Sequence, residues 1–482
     1  MSSRKDRSMK ESVSGKSIFA GSVLKIAVWA VAIAFIPLLL YVIIVAPDLN
    51  AAAIIVTGSA WYLLIPSFAI SVGTLLYFLM QAFLAYFYKD VLPGKDEDLP
   101  AMTVIVPAYN EGKYVVTSLK SILACDYPAE KLEVIAVNDG SEDDTWEWIS
   151  RTAKESGNRI TAVNLKENGG KKHALCTGIR MAKGEIIVTV DSDSRLDKNA
   201  LRNITARFVN PKVGAVAGYF LVGNKNEGII PKMLEVMFAF GFEFIRPGQS
   251  LIHAVLCTPG AMSAYRLSAL LPLLESWENQ TFLGKPANIG EDRAITSLLI
   301  RSNWYVEFQR DALVYTRMPV TYSGVCKMLI RWCRSDVREN LLMSQYAFGS
   351  LALTDIRMHV LRFNLLFANG TLFFTFFWLP LLLWMFFVSP VMTLIYTVSG
   401  SVMWSMMPAA IYAFRYNAKD ALWAFVYGIY SVPFISWICI YSILTMGNTD
   451  WMTRRVQSSS VRKDDAENRL KAAGAVPPVS EK

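Results

Sequence analysis

Histidine is scarce in this chain, with only 3 in 482 residues, and none of its six cysteines forms a C-x-x-C pair. Structural zinc sites and disulfide frameworks are built from clusters of these residue types, so the sequence argues against both. Charged residues are also sparse, at 18% of the chain. The formal net charge is +8, but the basic residues that produce it are dispersed along the sequence. A nucleic-acid partner, which needs clustered basic residues, is therefore not expected.

Apolar residues, by contrast, are abundant. They make up 53% of the chain, including 13 Trp and 26 Phe, and the mean hydropathy of +0.32 exceeds that of an ordinary soluble enzyme. They concentrate towards the two ends, whereas residues 89–340 have the composition of a soluble domain with charged helices and polar turns. This distribution predicts a membrane protein built in three blocks.

Two apolar runs occupy the first block, at residues 26–45 and 53–88. The first is long enough to cross about 30 Å of hydrocarbon. It is too long for a signal peptide and lacks a small-residue cleavage site. Residues 1–25 are rich in Lys and Arg, whereas the link at residues 46–50 has neither. By the positive-inside rule, the N-terminus and the block after Tyr88 are expected in the cytoplasm.

The last block contains three further apolar runs, at residues 364–388, 392–414 and 422–446. Five crossings in total would leave the C-terminal tail outside the cell. The tail carries basic residues that favour the inside: Arg454, Arg455, Arg462 and Lys463. Either one run is re-entrant or interfacial, or the long second run contains a break near Pro66.

The middle block alternates short β-branched runs with helical patterns, which predicts a mostly parallel α/β sheet. Five strands are expected, at residues 103–108, 132–139, 159–165, 185–193 and 213–219. Four helices are expected between them, at residues 113–123, 143–154, 172–182 and 199–208. Because open α/β sheets bind ligands at the carboxyl ends of their strands, the residues that follow the strands are the first candidates for a site.

Polar clusters do follow three of these strands: PAYNEG at 107–112, NDGSEDDT at 138–145 and DSDS at 191–194. Three acidic or amide-rich strand ends on one rim of a sheet favour a binding site over solubilising loops. The Asp-Gly pair at residues 139–140, taken alone, is equally typical of a turn.

Asp191 and Asp193 are separated by one residue at a strand end. Two carboxylates in this arrangement can present oxygen atoms to one divalent cation, which in turn can hold the diphosphate of a nucleotide. Lys171 and Lys172 follow a Gly pair at a predicted helix start, where backbone N–H groups and ammonium charge favour anions. Two lysines at a helix start are also common on a solvated face.

A series of motifs between residues 107 and 340 resembles the ordered signature of membrane-bound family 2 glycosyltransferases. The motifs are PAYNE, NDGS, GGKKHAL, VDSDS, CTPGAMSAYR, NIGEDR and LIRWCRSDVREN. The likeness is greatest to the hyaluronan synthase, chitin synthase and nodulation chitooligosaccharide synthase group, and it covers roughly residues 100–345. It implies an α/β GT-A type domain, with a mixed, mostly parallel sheet, joined to an α-helical transmembrane region.

The resemblance also implies roles for individual residues. Asp292 is the expected catalytic general base. The expected donor-binding residues are Pro107, Tyr109, Glu111, Asp139, Lys171, Lys172, Asp191 and Arg331, and Asp191 with Asp193 would hold Mg²⁺ or Mn²⁺. The expected acceptor-binding residues are Thr258, Pro259, Gly260, Glu291, Arg293 and Trp332. A W-x-T-R element that some of these synthases keep near the active site is resembled by Trp451, Thr453 and Arg454.

The expected function is that of an inverting hexosyltransferase. It would use a UDP-sugar, favoured as UDP-N-acetylglucosamine, to make a β-linked polysaccharide or oligosaccharide and move it across the membrane. Met328 departs from the family pattern, because it replaces the Gln of the Q-x-x-R-W motif and cannot hydrogen-bond a sugar hydroxyl. A transferase that adds one sugar to a lipid carrier therefore stays open. A transporter with a regulatory nucleotide-binding domain is the alternative of another class, and a general base beside the cation site argues against it.

These expectations divide the chain into four parts. Residues 1–88 would form a cytoplasmic N-terminus and two transmembrane helices, and residues 89–345 the cytoplasmic catalytic domain. Residues 346–450 would contain an interfacial segment and three or four transmembrane helices, followed by a polar tail at residues 451–482. The expected location is the bacterial inner membrane. The expected partners are a UDP-sugar, a growing glycan or lipid-linked acceptor and membrane lipids, without nucleic acid.

Overall fold

The computed structural model describes residues 61–349 and 355–448, and the side chains from residue 72 onward. The strands in this part are β1 (Met102–Ala108), β2 (Leu132–Asp139), β3 (Ile160–Leu165), β4 (Ile186–Val190), β5 (Arg195–Leu196), β6 (Val213–Val222), β7 (Met262–Arg266), β8 (Thr281–Phe282), β9 (Lys285–Pro286) and β10 (Tyr305–Thr316). Eight of them form one sheet in the order β3-β2-β1-β4-β7-β6-β10-β5, and β8 and β9 form a separate hairpin.

Helices cover both faces of the sheet and continue beyond it. The first block contributes α1 (Trp61–Phe87), and the middle block contributes α2 (Tyr114–Leu123), α3 (Thr145–Glu155), α4 (Lys171–Met181), α5 (Ala200–Thr205), α6 (Ile229–Phe240), α7 (Arg246–Leu251), α8 (Leu267–Leu270), α9 (Leu274–Glu278), α10 (Glu291–Arg301) and α11 (Tyr322–Gly349). A π-helix, Gly241–Ile245, joins α6 to α7. The C-terminal helices are α12 (Ile356–Val388), α13 (Pro390–Arg415), α14 (Ala418–Ala421), α15 (Trp423–Phe434) and α16 (Trp437–Leu444).

The sheet is mixed. Strand β1 runs parallel to β2 and β4, β2 to β3, and β6 to β10. Strand β7 is antiparallel to both β4 and β6, and β5 is antiparallel to β10. This arrangement confirms the expected GT-A fold class. The sequence pattern did not predict β5, β7, β8, β9 or β10. In β10, polar residues such as Glu307 and Gln309 interrupt the apolar pattern, and both are buried beside Arg207.

The positions of the strand ends explain why the site lies where it does. Every residue of β1 is buried, as expected for a strand with helices on both faces. The fourth predicted strand is shorter than expected, since β4 ends at Val190. Asp191 and Asp193 therefore lie in the turn that follows, which the hydrogen bond from Ser194 N to Asp191 O closes at 3.1 Å. Because these two residues lie beyond the paired part of β4, their carboxylates lie at the rim of the sheet.

Two C-terminal helices, α12 and α13, are long and apolar enough to cross a membrane. The rest of the described structure buries none of the most apolar stretch of α12. Exposed apolar area of this extent is what a lipid environment would cover. Helix α1 runs without a break past Pro66, so the interruption expected there is absent from this helix. The first predicted run, at residues 26–45, lies outside the described residues.

The last apolar run is broken. Its two parts, Ala418–Phe434 and Trp437–Leu444, are bent by 50° relative to each other and make a third span only if they are counted together. Pro433 lies one residue before the end of α15. A proline inside a helix removes one backbone hydrogen bond and so weakens the turn in which it lies. Of the two alternatives left open by the sequence, α1 shows no break at Pro66, and the bend in the last run is compatible with a re-entrant run.

Candidate active site

A cavity of about 440 Å³ opens at the carboxyl ends of β1, β2 and β4. Most of the residues expected in the site line it, from both the donor and the acceptor sets. They are Pro107, Tyr109, Glu111, Asp139, Lys171, Asp191, Asp193, Pro259, Gly260, Glu291, Asp292, Arg293, Arg331 and Trp332. Residues that are far apart in sequence are therefore brought to one place by the sheet on one side and by α10 and α11 on the other.

Lys171 lies at the centre of the charged groups. Its Nζ is 2.6 Å from Asp191 Oδ1 and 2.7 Å from Glu291 Oε1. Burial acts to lower the pKa of Lys171, but the carboxylates of Asp191 and Glu291 outweigh it and raise the pKa well above its usual value. Burial likewise acts to raise the pKa of Glu291, and the Lys171 ammonium, assisted by Arg331, lowers it. Both groups are therefore charged, and Lys171 joins the strand end to the start of α10.

Asp292 is the second residue of α10 and faces the same cavity. Burial, followed by the neighbouring Glu291 carboxylate, raises the pKa of Asp292 to about 6, against the opposing charge of Lys171. The Arg293 N–H donates to Asp292 Oδ1 at 2.8 Å, which fixes one carboxylate oxygen. A carboxylate with a pKa near neutrality is suited to accept a proton at physiological pH.

Two glycines are required by the close packing around these carboxylates. A Cβ at Gly260 would lie 2.5 Å from Lys171 Nζ and 3.2 Å from Asp191 Oδ2. Gly290 precedes α10 with a φ of +69° and leaves no room for a side chain beside Ser335. A side chain at Gly260 would displace Lys171 and Asp191, and one at Gly290 would displace Ser335 from the start of α10.

Two of the expected site residues do not line the cavity. Thr258, expected on the acceptor side, is fully buried, and its hydroxyl lies 2.7 Å from Thr296 Oγ1 and 2.9 Å from Tyr265 Oη. Lys172, expected on the donor side, donates to Ala287 O at 2.7 Å, and burial lowers its pKa to about 8. Lys172 points away from the cavity because consecutive residues of a helix face different directions, and of this pair only Lys171 faces the strand ends.

Lys172 instead supports the segment that leads to Asp292. Arg338, which is 1% exposed, donates to Ile289 O at 2.7 Å, two residues after the carbonyl bound by Lys172. Two buried cations thus hold the backbone before α10. The segment 451–454, expected near the site, lies outside the described residues.

The sequence analysis missed the aromatic and cationic residues that the π-helix region contributes to the cavity. They are Phe238, Phe242 and Arg246. Phe238 and Trp332 have ring centroids 5.8 Å apart. Met328, the departure from the family motif, lies on the same side of the cavity. An apolar helix with one arginine after it carries no pattern that separates a site from a membrane helix, so these residues gave no usable signal.

The carboxylates at the strand ends are suitable ligands for a divalent cation that is bound together with a diphosphate. In residues 61–349 and 355–448, no three His, Cys, Asp or Glu side chains converge as a complete metal site. Asp191 and Asp193 both line the cavity. Mg²⁺ is commonly held by one or two carboxylates together with phosphate oxygens and water, so two aspartates suffice if the ligand supplies the remainder.

The comparisons with known proteins agree with this architecture. Residues 103–273 match the family model "Glycosyl transferase family 2". An N-acetylglucosaminyltransferase of Rhizobium meliloti is 34% identical over 251 residues, which are 52% of this chain and 59% of that protein. The chain thus spans less than two thirds of that relative's length. A hyaluronan synthase of Streptococcus pyogenes is 29% identical over 79% of this chain and 88% of its own length.

Among solved structures, a mannosyltransferase from Pyrobaculum calidifontis, in complex with GDP-Man and Mn²⁺, superposes with a TM-score of 0.53 at 22% identity. The superposition covers 76% of this chain and 97% of the mannosyltransferase, and it supports the fold alone. The named relatives confirm the group to which the motifs pointed. The chain therefore carries a family 2 glycosyltransferase domain, with relatives among the N-acetylglucosaminyltransferases and hyaluronan synthases.

Proposed function

We propose that this protein is an inverting glycosyltransferase that transfers a sugar, favoured as N-acetylglucosamine, from its UDP conjugate to an acceptor hydroxyl. The observation that carries the proposal is the position of Asp292, a carboxylate with a pKa of about 6, in one cavity with Asp191, Asp193 and Arg331. A base beside a diphosphate site is what glycosyl transfer requires. A regulatory nucleotide site in a transporter would need no base.

In this proposal Asp292 takes the proton from the acceptor hydroxyl. The acceptor oxygen bonds to the anomeric carbon on one face while the bond from that carbon to the UDP diphosphate breaks on the other, which inverts the configuration. The electrons of the broken bond leave with UDP. Lys171, held between Asp191 and Glu291, and Arg331 would stabilise the charge that develops on the diphosphate.

The donor would lie along the ends of the strands. Asp139 at the end of β2, with Pro107, Tyr109 and Glu111 after β1, would hold the uridine. Asp191 and Asp193 would hold Mg²⁺ or Mn²⁺, which supplies positive charge for the leaving diphosphate. The Asp139 carboxylate accepts a hydrogen bond from Gly169 N at 2.8 Å, so it also fixes the glycine loop before Lys171.

On the opposite side, Pro259, Gly260, Arg293 and Trp332 would bind the acceptor. The favoured product is a β-linked polysaccharide or oligosaccharide that is moved outward through the membrane helices. Met328 supports a second candidate, in which one sugar is added to a lipid carrier, because this thioether cannot hydrogen-bond a sugar and lies near apolar residues. The length of the product distinguishes the two.

We further propose that the catalytic domain, residues 89–345, and the C-terminal tail lie on the same, cytoplasmic side of a bacterial inner membrane. Both ends of the broken run contact the catalytic block. Lys232 Nζ lies 5.3 Å from the Trp423 ring at the start of α15, and Arg334 donates to Thr445 Oγ1 after α16. If this run enters and leaves by one face, the basic tail at residues 451–482 lies inside, as its charge favours.

The experiment that tests the proposed function uses the purified full chain in detergent with a panel of UDP-sugars and Mg²⁺ or Mn²⁺. Released UDP and product length are both recorded. The expected result is UDP release with one preferred sugar, UDP-N-acetylglucosamine, that needs the cation and yields a glycan. UDP release at the same rate by Asp292→Asn would overturn the proposal, as would a protein that turns over none of the sugar nucleotides.

A further inference from the structure

The π-helix Gly241–Ile245 presents two side chains to the acceptor side of the cavity. Phe242 comes from the π-helix itself, and Arg246 follows directly after it. The Arg246 guanidinium lies 4.2 Å from the centroid of the Phe242 ring, and its Nη1 donates to Cys257 O at 2.6 Å. Short π-helices are rare and are frequently found at functional sites. The wider turn displaces the following residues from the regular helical register.

Glu243, the residue after Phe242, points the other way and is 7% exposed. Its Oε1 accepts hydrogen bonds from Arg415 Nε at 3.2 Å and from Tyr416 Oη at 3.1 Å. Its Oε2 lies 3.1 Å from Arg310 Nε. One buried carboxylate thus joins the π-helix to the sheet, through β10, and to the end of the membrane helix α13.

A second contact connects the same helix end to the cavity. Tyr219 Oη lies 2.5 Å from Tyr416 Oη. The Tyr219 ring in turn stacks on Phe242, with centroids 4.6 Å apart and planes 12° apart. Phe242 is therefore packed against its own stacking partner and lies beside the anchored Glu243, and both Tyr219 and Glu243 contact Tyr416.

We propose that Glu243 is a positioning residue that sets acceptor recognition by holding the π-helix in register, so that Phe242 and Arg246 face the acceptor beside Asp292. This inference rests on the proposed glycosyl transfer. It makes the end of α13 part of the acceptor site, although neither Arg415 nor Tyr416 lines the cavity. Loss of the Glu243 charge leaves Arg415 without the carboxylate it contacts and leaves Arg310 with Asp90 alone, 3.6 Å from its Nη1, so the connection of the π-helix to β10 and to the end of α13 is weakened.

The consequence is a loss of coupling between the donor and the acceptor. When the acceptor hydroxyl is misplaced, water attacks the anomeric carbon in its stead, Asp292 takes the proton of that water, and UDP leaves with a free sugar as the other product. The ratio of sugar in the glycan to UDP released reports this partition. It does not change when a fraction of the protein is merely unfolded, because inactive molecules contribute to neither quantity.

The test compares Glu243→Gln with wild type in the full chain, using UDP-N-acetylglucosamine labelled in the sugar. Glu243→Gln is expected to lower the ratio of incorporated sugar to released UDP by about fivefold, since a hydrogen-bonded buried charge is removed. The KM for the UDP-sugar should stay within about twofold, because the strand ends are untouched. Tyr416→Phe, which removes one hydroxyl, is the second variant if Glu243→Gln does not fold, and it should lower the ratio by about twofold.

Glu235→Gln is the matched control. Glu235 is buried on α6, eight residues before Glu243, and its Oε2 accepts a hydrogen bond from Val222 N at 2.8 Å without contacting the π-helix. It should leave the ratio unchanged. Equal ratios for wild type, Glu243→Gln and Tyr416→Phe would overturn the inference and leave the proposed function intact. A wild-type protein that releases no UDP would overturn the proposed function, and with it this inference.

Discussion

The proposed donor half and the proposed acceptor half of the cavity are built from different structural elements. Strand ends form the donor half, where Asp139 is the last residue of β2 and Asp191 and Asp193 follow β4. Helices form the acceptor half, where Phe242 and Trp332 come from the π-helix and α11. The first half is charged and rigidly attached to the sheet. The second is mostly apolar and rests on elements that also contact the membrane helices, so the two halves should respond differently to substitution.

Asp292→Asn should have the largest effect, because this carboxylate stands where the halves meet. Asparagine keeps the shape of the side chain but cannot accept the acceptor proton, so glycan synthesis should fall by about 1000-fold. UDP binding, measured by calorimetry, should stay within about threefold, since Asp292 does not belong to the strand ends. Asp336→Asn removes a second cavity carboxylate, which lies 3.1 Å from Arg293 Nη1, and should cost far less because this group is not the base. A similar loss in both variants would contradict the assignment of Asp292.

Asp193→Ala should break the donor half alone. Removal of one carboxylate weakens the hold on the divalent cation and its diphosphate, and turnover should fall by about 100-fold, mainly through weaker donor binding. EDTA should reproduce the effect in wild type. Asp197→Ala is the matched control in the same segment, because the Asp197 carboxylate accepts a hydrogen bond from Asn199 N at the start of α5. Equal sensitivity of the two variants would contradict the assignment of Asp193.

The two halves also differ in how far the sequence predicts them. A β-branched strand that changes abruptly to carboxylates, as Val190 does to Asp191, combines a period-two pattern with an unusual charge, and both are local. Even in this half the prediction was incomplete, because the sequence does not show which side of a helix faces the cavity. Lys171 and Lys172 are adjacent in sequence, but only Lys171 reaches the cavity. The acceptor half depends on which face of an apolar helix meets another helix. Phe238 and Arg246 are placed by tertiary packing, which the local pattern does not contain.

Trp332→Ala tests the acceptor half separately from the donor half. Loss of the indole removes a stacking surface worth about 1 kcal/mol, so the ratio of incorporated sugar to released UDP should fall by about fivefold while the KM for the UDP-sugar changes little. Trp332→Phe, which keeps an aromatic face beside Phe238, should restore most of the ratio. Equal losses of donor affinity and of incorporation would place Trp332 on both halves and contradict the division.

The smallest expected effect is that of pH changes close to neutrality. Asp292 must be deprotonated to act as the base, and burial together with Glu291 raises its pKa to about 6. Transfer activity should therefore be constant at neutral pH, fall to about half near pH 6, and decrease about tenfold for each further unit. UDP affinity should not follow this profile. Glu291→Gln removes a negative neighbour that raises the Asp292 pKa, so the midpoint of the residual activity should move to lower pH. A midpoint that stays in place or moves upward would show that another group titrates, and that the charge at the start of α10 does not set the base.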